Sequence, residues 1–351
     1  MTTAGPPDVI VTNFNKNYTG VSATAGAVTR RLASRYNIML CGEPLPGLSD
    51  PIGRLQALSQ SRRPASGRPF VIWHVRRNAE MQLALVARDI LRLPVKIVFT
   101  SSAQRYHSAW PRFLISRMDA VISTSEASAK FVKTHAVIAH GADTHRFKPA
   151  ADREALWKKT GLPGKTGVVA IGRIRPEKGT DLFVQAMIDV LPKFPDVTAV
   201  VIGTAQAVDK PFQTKLRADI AAAGLGKRIV FTGELRPLRL AAMLPAFSLL
   251  VAAPRYEGFG LTPLEAMASG VPFVASDTGA FRALSDEGRA GAIVPVDDAK
   301  ALAETVADWL AHPGRIVRAG RFARRYAEEN YSADHEADAI AALYEEMWAA
   351  G

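Results

Sequence analysis

The sequence has few of the residues that disulfides and metal sites require. Its 351 residues include a single cysteine, Cys41, so no disulfide can form within the chain, which suits a reducing cytosol. It contains no Asp-x-Asp pair, no His-Glu-x-x-His segment and no Cys-x-x-Cys pair. These absences give no support to a metal site, and we expect neither a metal nor a cofactor.

Long apolar runs are also missing. The longest apolar region covers residues 240–254, which is too short to cross a bilayer, and Pro245 interrupts it. Residues 1–7 show no basic segment followed by an apolar core, which a secretory signal would have. We therefore expect a cytoplasmic protein that touches a membrane only at its surface, if at all.

Acidic residues are scarce in the first part of the chain. Residues 1–150 contain 20 lysines and arginines against 8 aspartates and glutamates, whereas residues 151–351 contain 24 basic and 25 acidic residues. Nucleic acid, an anionic lipid surface and a phosphorylated ligand all fit such a basic segment, and so does a surface that is basic only for solubility. No nucleic-acid module and no interleaved run of aromatic residues is present, so we do not expect nucleic-acid binding.

Two regions of alternating strands and helices fill the chain. Apolar runs that read as strands alternate with segments of helical periodicity, and this rhythm predicts parallel sheets with helical crossovers in an α/β fold. A full Gly-x-Gly-x-x-Gly fingerprint is absent after the first strand, which argues against a nicotinamide enzyme. We predict one domain over residues 1–150, a second over 151–330 and a final helix in 331–351.

Polar side chains follow two predicted strands of the first domain. His74 and Arg76 come at the end of one strand, and Arg105 and His107 follow the next. Ligands of open α/β sheets bind beyond the carboxyl ends of the strands, so these four residues are candidates for a binding site. A lone histidine is also often a hydrogen-bonded structural residue, and that alternative stays open for both histidines.

The most informative segment follows the apolar run at residues 247–253. Seven residues separate Glu257 from Glu265, and they begin with a tight loop: Gly258, Phe259, Gly260 and Leu261. Glycines allow a ligand to approach the backbone, and a helix start leaves amides open toward it. Two structural alternatives remain. Glu257 alone could be a surface acid, and Thr262 with Glu265 fits a capping box, with Pro263 at the first helical position.

The pattern Glu-Gly-Phe-Gly-Leu-x-x-x-Glu resembles the Glu-x7-Glu signature of retaining, nucleotide-sugar-dependent glycosyltransferases of the GT-B fold. The resemblance covers nearly the whole chain, and bacterial lipopolysaccharide core mannosyltransferases are the most similar group. Gly172-Arg173 followed by Lys178-Gly179 matches a second motif of the family. The resemblance implies two facing Rossmann-like domains, with the last helix crossing back onto the first.

The resemblance also implies roles for individual residues. Arg173 and Lys178 would neutralise the diphosphate of the sugar nucleotide without a metal. Glu265 would bind the ribose hydroxyls and Glu257 would touch the donor sugar. Gly20 matches a glycine that lies near the donor phosphates.

Two histidines depart from the family pattern. A family histidine that follows the strand at residues 95–100 is replaced by serines, so His107 is the nearest candidate for its catalytic position. His140 stands where the family usually has asparagine.

By resemblance, the expected reaction is retaining transfer of a hexose, mannose from GDP-mannose in the first instance. The basic N-terminal domain would face a lipid-linked anionic acceptor such as lipopolysaccharide core, with the enzyme peripheral at the cytoplasmic face of the membrane. Two alternatives are another GT-B enzyme, such as an epimerase or a transferase that uses a UDP- or ADP-sugar, and a basic nucleic-acid-binding protein.

Overall fold

The computed structural model describes residues 5–17 and 19–351. Residues 1–4, which form part of the segment inspected for a secretory signal, and Tyr18, in the loop before Gly20, lie outside the described residues. The chain divides into two compact units. The N-terminal unit contains Met1–Gly141 together with Tyr331–Gly351, and the C-terminal unit contains Ala142–Asn330.

The division falls at Gly141 rather than near residue 150, and hydrogen bonds explain why. The Gly141 amide donates to Glu336 Oε2 at 2.8 Å, and His140 Nδ1 lies 2.8 Å from Glu336 Oε1, so this strand end is tied to the C-terminal segment of its own unit. Beyond it, the Arg324 guanidinium donates to the carbonyls of Thr144 and Phe147. These bonds attach residues 142–149 to the C-terminal unit.

The N-terminal unit is built on a six-stranded parallel sheet with the order β2-β1-β3-β4-β5-β6. Its strands are β1 (Val9–Asn13), β2 (Ile38–Gly42), β3 (Val71–Val75), β4 (Val95–Ser101), β5 (Ala120–Ser123) and β6 (Ala136–Val137). The helices between them are α1 (Gly20–Leu32), α2 (Arg54–Gln60), α3 (Asn78–Leu85), α4 (Ala109–Ser116) and α5 (Glu126–Ala129). Every residue of β1 and β3 is buried, as in a parallel sheet covered on both faces.

The C-terminal unit contains a second six-stranded parallel sheet, with the order β12-β11-β10-β7-β8-β9. Its strands are β7 (Thr166–Ile171), β8 (Val197–Ile202), β9 (Ile229–Gly233), β10 (Leu249–Ala252), β11 (Phe273–Ser276) and β12 (Gly291–Val294). Its helices are α6 (Arg153–Lys159), α7 (Thr180–Val190), α8 (Lys210–Ala222), α9 (Pro237–Met243), α10 (Leu261–Ala268), α11 (Phe281–Ser285), α12 (Ala299–Ala311) and α13 (Pro313–Asn330). The two parallel sheets confirm the predicted α/β class.

The final helix, α14 (Ala333–Ala349), belongs to the N-terminal unit. Its first turn is capped by the Ser332 hydroxyl, which accepts from the His335 amide. Tyr344 and Trp348 are buried, and both rings pack at an angle to the ring of Tyr36. The helix therefore contributes to the N-terminal hydrophobic core. Among the described residues, no helix has the length and apolar character needed to cross a membrane.

The strand orders create one switch point in each sheet. In the C-terminal unit the chain proceeds from β7 to β8 and β9 on one side, and from β10 to β11 and β12 on the other. In the N-terminal unit the equivalent change of direction lies between β1 and β3. Ligands of open α/β sheets bind outside the carboxyl ends of the strands at such points, so the loops after these four strands are the places to examine.

Candidate active site

The two motif loops of the C-terminal unit meet at its switch point. Strands β7 and β10 are hydrogen-bonded neighbours, with Leu249 opposite Val168 and Leu250 opposite Val169. The segment at residues 172–179 follows β7, and the segment at residues 253–260 follows β10. Because the strands run parallel, both segments leave the sheet at the same edge.

Close packing and hydrogen bonds hold these two loops together. Gly179 has a φ of 65°, and a Cβ at this position would lie 1.7 Å from the carbonyl oxygen of Ala253, so only glycine fits. The Arg255 amide donates to the Glu177 carbonyl at 3.0 Å. The Arg255 guanidinium also forms two hydrogen bonds with the Asp181 carboxylate, at 2.9 and 2.8 Å. Arg255 was not among the predicted site residues, and its only signal in the sequence is its place two residues before Glu257.

Lys178 and Glu257, one from each loop, form an ion pair. The distance from Lys178 Nζ to Glu257 Oε2 is 2.6 Å, and both side chains are mostly buried. The other carboxylate oxygen, Oε1, accepts the Gly258 amide at 3.0 Å. Arg173 is exposed, and its side chain has no hydrogen bond or ion pair among the described residues. The pair thus places a cation beside a carboxylate at the end of β7, while Arg173 faces solvent.

The start of α10 differs from the expected capping box. Gly260 is the N-cap with a φ of 98°, a Cβ there would lie 1.9 Å from the Phe281 ring, and no side chain caps the helix. Because the helix begins at Leu261, Thr262 is already helical and Pro263 occupies the third helical position rather than the first. The predicted capping box was therefore wrong. The first-turn amides, that of Leu261 among them, have no acceptor within the helix.

Glu265 is the perturbed acid of this site. It lies in the second turn of α10, and burial raises its pKa to about 8, although Arg146 acts in the opposite direction. A carboxyl group in this state is largely protonated at neutral pH, and it ionises readily if a ligand supplies hydrogen-bond donors. Perturbed groups of this kind concentrate at functional sites, which favours the binding interpretation over the structural one.

The loop after β11 supports the Glu257 segment. The Thr278 hydroxyl accepts the Glu257 amide at 3.2 Å, and the Ala280 amide donates to the Phe259 carbonyl at 2.9 Å. Phe259 itself is buried, with 3% of its surface exposed. Of the predicted donor-binding residues, Phe259 and Gly260 therefore shape the loop, whereas Glu257 and Glu265 supply its functional groups.

At the switch point of the N-terminal unit, Glu80 joins the loops that follow β1 and β3. Its side chain is fully buried and accepts from Thr12 Oγ1 at 2.9 Å, the Phe14 amide at 3.1 Å and the Arg76 amide at 2.8 Å. The Arg77 guanidinium adds an ion pair at 3.0 Å. Glu80 was not among the predicted site residues, and its only signal is that it is an acidic residue in the first turn of α3.

His74 has a structural environment in this structure. It is buried, its Nδ1 lies 2.5 Å from the Tyr344 hydroxyl and its Nε2 lies 2.7 Å from Thr100 Oγ1. Burial lowers its pKa, so the ring is neutral. Both ring nitrogens are hydrogen-bonded to protein groups, so His74 links β3, β4 and α14. Neither nitrogen is left to bind an acceptor substrate.

Arg76, unlike His74, has side-chain nitrogens without hydrogen-bond partners among the described residues. Its Nε and Nη1 atoms are shielded from water, and neither has a hydrogen-bond partner among the described residues. Burial lowers the pKa of its guanidinium, while Tyr344, Glu80 and Glu336 act to raise it. Unpaired donors of a buried cation are costly and rare, so their presence at a switch point indicates a place for an anion.

The remaining candidates lie on separate loops of the N-terminal unit. Gly20 is the exposed first residue of α1, on the segment that follows β1. Arg105 is exposed after β4, and His107 is partly buried with an Nε2 that has no partner among the described residues. Burial lowers the pKa of His107, and Arg105 adds to this effect. In the described part of the chain, no group of three or more His, Cys, Asp or Glu side chains is arranged to hold a metal ion.

Two Rossmann-like units with parallel sheets, and polar loops at the switch point of each, match the architecture that the resemblance to GT-B glycosyltransferases implied. Comparison with known proteins agrees. The family described as "Glycosyl transferases group 1" matches residues 152–332. The lipopolysaccharide core biosynthesis mannosyltransferase LpcC of Rhizobium leguminosarum bv. viciae is 42% identical over 345 residues, which cover 97% of this chain and 96% of that protein. The chain belongs to the group 1 glycosyltransferase family.

Two solved structures extend the comparison. The C-terminal domain of a group 1 glycosyl transferase (LpcC) from Francisella tularensis is 33% identical, with a TM-score of 0.53, and covers 55% of this chain and 99% of that one. HepE from Anabaena, solved with UDP and glucose, is 17% identical with a TM-score of 0.82 over 96% of this chain and 99% of its own. At that identity the second likeness shows the fold alone, and it confirms the GT-B prediction.

Proposed function

We propose that this glycosyltransferase moves mannose from GDP-mannose to a lipid-linked acceptor of the lipopolysaccharide core, with retention of configuration. The observation that carries the proposal is the 42% identity, over 97% of the chain, to a protein named as a lipopolysaccharide core biosynthesis mannosyltransferase. The paired loops at the β7/β10 switch point carry the cations and the carboxylate that such a donor requires.

The donor's diphosphate is assigned to Arg173 and Lys178. Cleavage of a sugar nucleotide leaves a nucleoside diphosphate with added charge on the leaving oxygen, and fixed cations stabilise that charge. In the unliganded site Lys178 is held by Glu257 at 2.6 Å. When a diphosphate takes Lys178 as its partner, Glu257 becomes available to accept hydrogen bonds from the hydroxyls of the donor sugar.

Glu265 is assigned to the ribose. A ribose presents two neighbouring hydroxyl donors, and a carboxylate accepts both. Burial raises the pKa of Glu265 to about 8, which means that the buried site disfavours the ionised carboxylate. Hydrogen bonds from the ribose hydroxyls would stabilise that ionised form.

Transfer then needs positioning more than a protein nucleophile. The bond from the anomeric carbon to the leaving phosphate oxygen breaks, and a bond to the acceptor hydroxyl oxygen forms on the same face of the sugar. The leaving phosphate oxygen accepts the proton of that hydroxyl. His107, neutral and with an unpaired Nε2, remains our candidate for a contact at the reacting centre.

A transfer assay with a donor panel tests the proposal. We expect GDP-mannose, in preference to UDP-glucose and ADP-glucose, to raise the melting temperature and to support transfer to lipopolysaccharide core acceptor. Transfer should persist in excess EDTA, because Arg173 and Lys178 supply the positive charge that a divalent cation would otherwise provide.

Three results would contradict this reading. A requirement for added magnesium or manganese would remove the metal-independent mechanism. Preference for a UDP- or ADP-sugar would change the donor. Conversion of the donor without any acceptor would indicate an epimerase, so an acceptor-free reaction is the necessary control.

The acceptor's negative charge is assigned to Arg76. Its shielded Nε and Nη1 atoms are donors without protein partners among the described residues, and a carboxylate or phosphate oxygen can accept from such donors. We expect Arg76→Met to lower kcat/KM for an anionic acceptor by about 10- to 100-fold, the effect of losing one charge-assisted contact. The KM for the donor should not change. The melting temperature should not fall, because methionine leaves no unpaired donors.

Arg35→Met is the matched control for this experiment, because Arg35 is an exposed arginine of the same unit whose partner is Asp338 at the surface. Steady-state kinetics with both variants separates a local effect from a general loss of positive charge. An unchanged acceptor KM in Arg76→Met, or equal losses in both variants, would remove Arg76 from the acceptor site.

We also propose that the enzyme is peripheral at the cytoplasmic face of the membrane, because a lipid-linked acceptor and a basic N-terminal half both favour an anionic lipid surface. Some arginines of this half already have protein partners, and others are exposed and can contact a lipid surface. Arg68 binds Glu345 at 2.8 Å and lies over the Trp348 ring, and Arg77 is paired with Glu80. Exposed arginines of this half include Arg62, Arg63 and Arg112.

A further inference from the structure

The N-terminal unit carries an exposed aromatic surface, the α4 aromatic patch, formed by Tyr106, Trp110 and Phe113. Their exposed fractions are 78%, 53% and 53%. The rings of Trp110 and Phe113 stack with centroids 5.7 Å apart, and Tyr106 packs edge-on against Phe131 at 5.1 Å. Single exposed apolar residues are ordinary, but a cluster of large rings on a surface indicates a binding partner.

Two of the three rings stand on the amphipathic helix α4, and Tyr106 precedes it. Leu114 and Ile115 are buried in the core of the unit, whereas Trp110 and Phe113, three residues apart, are exposed and stacked on each other. Ile90 and Leu91 are exposed as well, by 71% and 49%. They follow Asp89, which forms an ion pair with Arg117 just beyond the end of α4.

The charge around the patch is mostly positive. Residues 101–118 contain three arginines and no acidic residue. Arg112 and Arg117 are exposed on and just beyond the helix, and Lys130 and Lys133 are exposed on either side of Phe131. Asp119, which follows this segment, and Asp89 are already bound by basic side chains, whereas Glu126 is exposed at the start of α5.

We propose that the α4 aromatic patch inserts into the interfacial layer of an anionic lipid bilayer. Tryptophan and tyrosine favour that layer because their rings are apolar and each carries one polar atom. A short helix with aromatic residues on one face and arginines beside them has the composition of an interfacial anchor. The inference deepens the proposed function, because a lipid-linked acceptor would place the enzyme at such a surface.

Trp110 provides a direct optical test. The chain has five tryptophans, all of them within the described residues, and Trp73, Trp157, Trp309 and Trp348 are buried. Vesicles of phosphatidylglycerol and phosphatidylcholine should shift the fluorescence of the wild-type protein to shorter wavelength, and brominated lipid should quench it. Pure phosphatidylcholine vesicles should do neither, and added salt should reverse the effect because it screens the arginines.

Variants separate the patch from the general charge of the domain. Trp110→Ser combined with Phe113→Ser should reduce partitioning onto anionic vesicles in a sedimentation assay by about tenfold or more. Val208→Ser, which removes an apolar residue exposed by 81% in the C-terminal unit, is the matched control and should bind like the wild type. Trp110→Phe should keep vesicle binding and lose the spectral shift.

Three outcomes would overturn the inference. They are equal vesicle binding by the wild type and the double variant, no binding by the wild type at low salt, and a wild-type dimer that the double variant abolishes without any change in vesicle binding. The last would assign the patch to a second copy of the chain. Because these assays contain no sugar nucleotide, a failure of mannosyl transfer would leave their result intact, and the two proposals can fail separately.

Discussion

Replacement of both Arg173 and Lys178 by alanine is expected to lower kcat/KM for transfer by about 100- to 10,000-fold while the fold persists. Each residue should lose a charge-assisted contact to the diphosphate worth about 1.5–3 kcal/mol, and the two losses together give this range. The fold should tolerate the change, because Arg173 is exposed and has no partner among the described residues, and Lys178 pairs with Glu257 alone. Single-turnover transfer rates and a thermal melt measure the two effects.

The matched control removes two other basic side chains of the same unit, both of them lysines. Lys165 and Lys215 are exposed and form ion pairs with Asp196 and Asp219. Lys165→Ala with Lys215→Ala has the same change in net charge and should transfer normally, since surface ion pairs contribute little. Lys178→Ala combined with Glu257→Gln shows how much of the loss comes from leaving Glu257 unpaired. Transfer near the wild-type rate in Arg173→Ala with Lys178→Ala would end the diphosphate assignment.

The two motifs of the C-terminal unit could be found in the sequence because their residues follow apolar strands at fixed spacing. Their contact could not be found in the same way. Lys178 and Glu257 meet because β10 pairs with β7, and that pairing depends on the order of the whole sheet. Arg255 and Glu80, which hold the two switch points, were missed for the same reason, since their partners lie on other loops.

Two interpretations that rest on local sequence are wrong or weakened, because residues distant in the sequence make the deciding contacts. The capping box is consistent with the sequence, but α10 begins at Leu261, two residues before Pro263, and its N-cap is Gly260, which packs against the Phe281 ring. His74 ends a strand as a site histidine would, yet Tyr344, 270 positions away, and Thr100 occupy its nitrogens. Sequence patterns show which side chains reach the end of a strand, and packing decides which of them remain available to a ligand.

Glu265→Gln is expected to stabilise the protein at neutral and mildly alkaline pH. In the unfolded chain the carboxyl group titrates near its usual pKa of 4.5, whereas in the fold burial raises the pKa to about 8. Well below pH 4.5 the group is neutral in both states and the variant should match the wild type. As pH rises from 4.5 to 8, the unfolded chain ionises first, so the wild type loses stability relative to the variant. The difference should reach a few kcal/mol and then stay constant.

The same substitution should weaken binding of the donor nucleotide. A glutamine side chain keeps one oxygen acceptor where the carboxylate has two, so GDP affinity should fall by about 10- to 100-fold. Calorimetric titration with GDP between pH 6 and 9 adds a sharper criterion. Wild-type affinity should rise with pH, because hydroxyl donors bind the ionised carboxylate, and this dependence should vanish in the variant. A lower melting temperature at every pH with unchanged GDP affinity would instead give Glu265 a purely structural role. Higher stability combined with weaker binding is the pattern of a residue held in an unfavourable state for its ligand.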